Sequence, residues 1–327
     1  MRQGLRLLLA AALAAGGCEQ TNETVAPREA DIALTVTNLP PLEHGEGSYR
    51  LWARIYEFSR RPAASSVTHS ELVSLGDFAV DPATGACVDS AGRPVRFRIP
   101  DGWNPQLLAS VMVTVQPHAH ATGPRHEEPG PVLIAGALTG DEVHATATLT
   151  TASPEAFGTD FTAARGKYTV IAPTSPADSL SGVWFVDMTV SPPAGIQGLP
   201  APPPGWVYEG WVTDLAAQPP VEYSTGRFRR PDSADYDGPG PGRGPLPGLD
   251  FPGQDFITGT PMRPNLDSPR YTFQVTVEPA SDDAPGASPF LLFTSVPVTP
   301  AGAGPISRDL YSRAGGLPTA AFRMTRP

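Results

Sequence analysis

Four short landmarks occur twice along this 327-residue chain, in the same order each time. Leu39-Pro40 is matched by Leu199-Pro200, and Tyr49-x-x-Trp52 by Tyr208-x-x-Trp211. Ser74-x-Gly76-x-Phe78 is matched by Ser224-x-Gly226-x-Phe228, and Val113-Thr114-Val115-x-Pro117 by Val275-Thr276-Val277-x-Pro279. Landmarks repeated in order mean one structural unit built twice. Apolar residues alternate at Ile32, Leu34 and Val36 and again at Val111, Val113 and Val115, the period of strands with one buried face. The chain has 40 prolines and 33 glycines, which interrupt helical patterns and supply turns between short strands. A hairpin apolar on one face needs a second sheet over it. The reading is therefore all-β: two tandem antiparallel β-sandwich (Ig-like) domains with long Pro/Gly-rich loops.

The expected divisions follow from the repeat. Residues 1–17 read as a signal peptide, 18–29 as a polar tether, 30–150 as the first sandwich and 182–300 as the second. Residues 151–181 read as a linker or edge strand, because Pro173 and Pro176 bar a central strand there. Residues 301–327 match neither copy and read as a loosely ordered tail.

At the start, Arg2 and Arg6 precede an apolar run from Leu7 to Ala15, then Gly16, Gly17 and Cys18. The run is about half the ~20 residues a bilayer span needs, so it reads as an export signal. The cysteine after small residues resembles the lipobox of bacterial lipoproteins, although Ala15 stands in the usual leucine slot and Leu13 lies two places earlier. That resemblance implies cleavage before Cys18 and anchoring to the lipid bilayer through its acylated side chain. The protein would then sit in the cell envelope, on the periplasmic face or at the outer membrane. Ordinary secretion with Cys18 idle is the alternative. Cys87 is the other cysteine and reads as a buried, inert thiol.

The landmarks themselves resemble the extracytoplasmic C-terminal domain of the anti-sigma-K factor family. They are seen here as "LPPLEHGEGSYRLW", "LGDF" and "VTVQPHAHATGPRHEEPGPVLIAG", covering most of residues 31–138 and, more loosely, 182–298. Members of that family carry a sigma-binding helical domain and a membrane helix ahead of this module. A lipobox-like segment stands in that place here, and the chain has no His-x3-Cys-x2-Cys pattern. The resemblance therefore implies the outward-facing module alone, with no direct sigma-factor binding.

Several groups of residues bear on function. The pairs Tyr49/Trp52 and Tyr208/Trp211 recur, which marks them as parts of the repeated core. Trp206 is particular to the second copy, where the first has Gly47 or its neighbour, and is the ring expected to be exposed for ligand contact, such as sugar stacking. His118, His120 and His126, with Glu127 and Glu128, are candidate metal ligands in a hairpin loop whose default is a solvated turn. Asp232, Asp235 and Asp237 faintly resemble a calcium loop but lack its closing glutamate. Asp250 or Asp255 would have to complete such a site.

No Gly-x-Ser-x-Gly elbow or convincing nucleophile triad is present, so the chain reads as non-catalytic and without a cofactor. A formal charge of −10, with no basic stripe, argues against nucleic acid. The expected partner is an envelope protein or glycan, in a sensing or scaffolding role. A carbohydrate- or metal-binding lipoprotein and an envelope hydrolase, the latter with loops around Asp232 to Asp255, are the rival readings.

Overall fold

The computed structural model describes residues 30–42, 47–58, 67–116, 128–257, 264–281, 284–301 and 305–326. Among them the regular structure is all β, apart from short 3-10 turns. In chain order the strands are β1 (Asp31–Thr37), β2 (Ser48–Phe58), β3 (Val67–Val80), β4 (Cys87–Val88), β5 (Leu108–Gln116) and β6 (Val132–Ala137). They continue with β7 (Thr139–Gly140), β8 (His144–Leu149), β9 (Gly166–Val170), β10 (Gly182–Trp184), β11 (Trp206–Asp214) and β12 (Val221–Phe228). The last are β13 (Gly253–Asp255), β14 (Tyr271–Pro279), β15 (Leu291–Thr294), β16 (Ser307–Ser312) and β17 (Thr319–Thr325). Three antiparallel sheets result, ordered β4-β3-β2-β5-β6, β1-β17-β8-β7 and β12-β11-β14-β15-β16-β9-β10-β13.

The sequence repeat reappears as a repeat of strand order and register. β3-β2-β5-β6 in the first copy corresponds to β12-β11-β14-β15 in the second. Tyr49 stands between Phe78 and Val115 just as Tyr208 stands between Phe228 and Val277. Both copies carry a bulge beside the tryptophan, where Trp52 pairs with Ser74 and Trp211 with Ser224. The glycine of the Ser-x-Gly-x-Phe landmark sits in each bulge at positive φ, 141° at Gly76 and 104° at Gly226, where a side chain would be strained.

A bulge of this kind bends the strand that carries it and increases its twist. The all-β, antiparallel expectation holds, but the sheets curl rather than stack clearly as two facing sandwiches. The eight-stranded sheet curls into a near-closed barrel, and the first copy's five strands make a curled half-barrel. The half-barrel is extended by the four-stranded sheet through a bridge between Ala135 and Thr150, with N–H···O distances of 3.0 and 3.1 Å. The near-closed barrel has its seam between β12 and β13. There Tyr236 N–H donates to Arg227 O, and Gly253 N–H donates to the Asp235 carboxylate, both at 2.9 Å.

The closing strand of each unit comes from the other. β8 and β16 hold equivalent places, since Ala135 pairs with Thr150 as Thr294 pairs with Tyr311. Beside β8, however, lies β17, and beside β16 lies β9. Leu149 faces Ala320 in one unit and Leu310 faces Gly166 in the other, which makes β9 and β17 equivalent strands. Their partners on the far side, β10 and β1, are equivalent too. Tyr168 and Phe322 fall at the same position in the two strands, each 1% exposed. Burying such a ring contributes on the order of 2–3 kcal/mol, so each unit gains from a strand the other supplies.

Two expectations are corrected by this exchange. Residues 151–181 hold β9, an interior strand rather than an edge, because Pro173 and Pro176 fall after its last paired residue. Residues 301–327 are no loose tail: they supply β16 and β17, and β17 buries Ala320, Phe322 and Met324 on alternate positions.

Candidate functional site

The recurring aromatic pairs are spent on structure. Tyr49 donates its hydroxyl to Pro40 O at 2.8 Å, and Tyr208 donates to Pro200 O at 2.9 Å. Trp52 Nε1 donates to Thr114 Oγ1 at 3.0 Å, and Trp211 Nε1 donates to Thr276 Oγ1 at 2.9 Å. All four rings are at most 2% exposed, and burial pushes the Tyr208 phenol upward. Next to these rings the two copies carry the same ion pair with its signs reversed. Arg50 pairs with Asp77, and Glu209, at the position of Arg50, pairs with Arg227.

Trp206 does not present an exposed ring. It is 0% exposed, its Nε1 donates to Val132 O at 2.9 Å, and its ring centroid lies 5.4 Å from Phe157 and 5.8 Å from Phe290. Val132 belongs to the first unit and Phe157 to the connection between β8 and β9. Trp206 is therefore the plug where the second unit's β10–β11 loop meets the first unit. Gly205 packs there as well, and a Cβ on it would come within 2.9 Å of the Pro131 ring.

Of the acidic residues, Asp232 is on the surface, paired with Arg230 at 3.0 Å. Asp235 and Asp237 converge over Gly226, where a Cβ would meet the Asp237 Oδ1 at 2.5 Å and the Asp235 Oδ2 at 2.7 Å. Asp235 is 7% exposed, and its Oδ1 has no hydrogen-bond partner among the described residues. Burial, with Asp237 alongside, pushes its carboxyl up to about 8 against the pull of the Gly253 N–H.

Asp250 is exposed, whereas Asp255 is fully buried and receives Thr174 N–H at 3.0 Å, the Thr174 hydroxyl at 2.6 Å and Trp184 Nε1 at 2.9 Å. The two are thus held in different surroundings, and Asp255 ties the β9–β10 turn to β13. Among the described residues no three histidine, cysteine, aspartate or glutamate side chains come together to hold a metal. Cys18, His118, His120 and His126 lie outside the described residues. Cys87 is half-buried and unbridged, and burial raises its thiol to about 11.

Two of the hollows formed by the described residues bear on binding. One, of about 720 Å³, is lined by Ile196, Leu199, Arg229, Arg230, Asp232 and Phe251 among others, and Asp232 occupies the Arg230 guanidinium. The other, of about 410 Å³, lies between Leu39 and Pro40 of the first unit, Phe290 and Leu291 of the second, and Arg313 and Leu317 of the β16–β17 connection. Its walls are mainly apolar. Sequence patterning missed this hollow because it forms between segments some 250 residues apart. The chain matches no known family model, no curated protein and no solved structure.

Proposed function

We propose that this is a lipid-anchored bacterial envelope protein that binds or scaffolds another envelope component without chemical conversion. The observation that carries the reading is the export segment ending at Cys18, a short polar stretch ahead of β1. An acylated Cys18 would hold the β body close to a membrane surface, inner or outer. One acyl chain binds a bilayer only marginally, so the multiple acylation that the lipobox resemblance implies matters to the reading. The repeated landmarks support kinship with the outward-facing module of the anti-sigma-K family. In both copies they supply the Tyr-to-Pro and Trp-to-Thr bonds on which the units are built.

A non-catalytic role is favoured by where the polar chemistry goes. Asp255, Glu209 and Asp214 are each bound to donors within the fold, Asp214 receiving Arg270 Nε at 2.6 Å. The test is metabolic palmitate labelling of the full chain with membrane fractionation. The wild type takes up label and sediments with membranes, and Cys18→Ala loses both. Label that persists in Cys18→Ala would end the anchoring proposal.

A further inference from the structure

The two copies create two equivalent sites where one unit meets the other, and Trp206 fills one of them. At the first, Trp206 lies two residues before Tyr208 and donates to the carbonyl of Val132. Val132 pairs with Thr114 as Leu291 pairs with Thr276, so the equivalent acceptor in the other site is Leu291 O. The residue two before Tyr49 is Gly47, which has no ring to offer. The connections differ in the same sense. Residues 152–164 bring Phe157, itself packed edge-on against Phe161, against Trp206, whereas the equivalent connection is only 313–318, with Gly315 and Gly316 in it. The 410 Å³ hollow is bordered by Leu291, the equivalent of the residue that accepts from the Trp206 indole, together with Phe290, Leu317 and Pro40.

From this pairing of a filled site with one left open among the described residues we infer that the hollow is a binding site for a small aromatic anion, a flat ring of about indole size bearing a carboxylate. The ring follows from the twin site, where an indole bonds to the carbonyl at the equivalent strand position. Leu39, Phe290 and Leu317, each no more than 8% exposed, form its apolar floor. The volume falls within the ~300–1,000 Å³ of small-molecule sites. The anion follows from Arg313, an exposed residue and the one charged group among the described lining residues. A guanidinium fork recognises a carboxylate in two-point fashion.

The probes are indole and indole-3-acetate, titrated into the Cys18→Ala chain from residue 18 onward by isothermal calorimetry. Indole-3-acetate is expected to bind once per chain, at least fivefold more tightly than indole. Arg313→Gln is expected to remove that difference. A Cβ at Gly316 meets nothing within 4 Å, so Gly316→Trp should block the hollow without disturbing the fold and weaken both probes at least tenfold. Leu291→Trp blocks from the opposite wall and serves if Gly316→Trp does not fold. Absence of saturable binding of either probe at millimolar concentration would overturn the site, as would binding that neither blocking variant changes. Equal affinity of the two probes for the wild type would overturn the anionic half.

Discussion

Replacing Trp206 by alanine removes the plug between the two units, and the cost can be worked from its surroundings. Deleting a fully buried tryptophan costs about 3–5 kcal/mol through lost transfer energy and the cavity left behind. Its Nε1 also leaves Val132 O without a donor, adding about 1 kcal/mol. The total is about 4–6 kcal/mol. At roughly 2 cal/mol/K per residue, unfolding of a chain this long carries an entropy near 0.6 kcal/mol/K, so Tm should fall by about 6–10 °C. Calorimetry of wild type and Trp206→Ala reads this directly. Millimolar indole should restore part of the loss for the variant, because an apolar cavity shaped by Phe157 and Phe290 can take the ring back. A loss below about 1 kcal/mol, with no effect of indole, would refute the placement of this ring between the units.

The remaining predictions concern charge. Asp235 has its carboxyl raised in the folded state, so the fold binds a proton more tightly than the unfolded chain does. Its contribution is therefore favourable at low pH and is lost as pH rises from about 4 to about 8, by at most ~1.4 kcal/mol per pH unit. Asp235→Asn should flatten that slope in urea titrations between pH 5 and pH 8; an unchanged slope would count against a raised carboxyl. For the reversed ion pairs, Arg50→Glu should lower Tm by placing a carboxylate opposite Asp77. Adding Asp77→Arg should recover most of the loss by copying the arrangement of Glu209 and Arg227. A double variant no more stable than the single one would show that the two positions are not equivalent.

The repeat was legible in the sequence because its landmarks are the residues that build each unit. Tyr, Trp, Ser-x-Gly-x-Phe and Val-Thr-Val recur because each copy needs the same hydroxyl and indole bonds and the same bulge glycine. The exchange of strands was not legible. β9 and β17 share only a strand-like alternation, Gly166, Tyr168 and Val170 against Ala320, Phe322 and Met324. Alternation shows that a strand has a buried face but not which sheet receives it. Trp206 misled for a similar reason: a ring with no counterpart in the other copy suggested a surface role, yet its partners Val132 and Phe157 come from far along the chain. The closed hydrogen bonding of Asp255 was equally hidden, since Thr174 is 81 residues away.

Exchange of the closing strands is the claim on which the rest depends, and cutting the chain between its halves tests it. A protease site inserted between Ala177 and Asp178, in the turn between β9 and β10, leaves β9 on one fragment and β17 on the other. The account predicts that the nicked protein stays one species of intact mass in native buffer. Its fragments should part only over the urea range in which the β-sheet circular dichroism is lost. Fragments that separate while each keeps its folded spectrum would contradict the exchange and return the chain to two self-contained units.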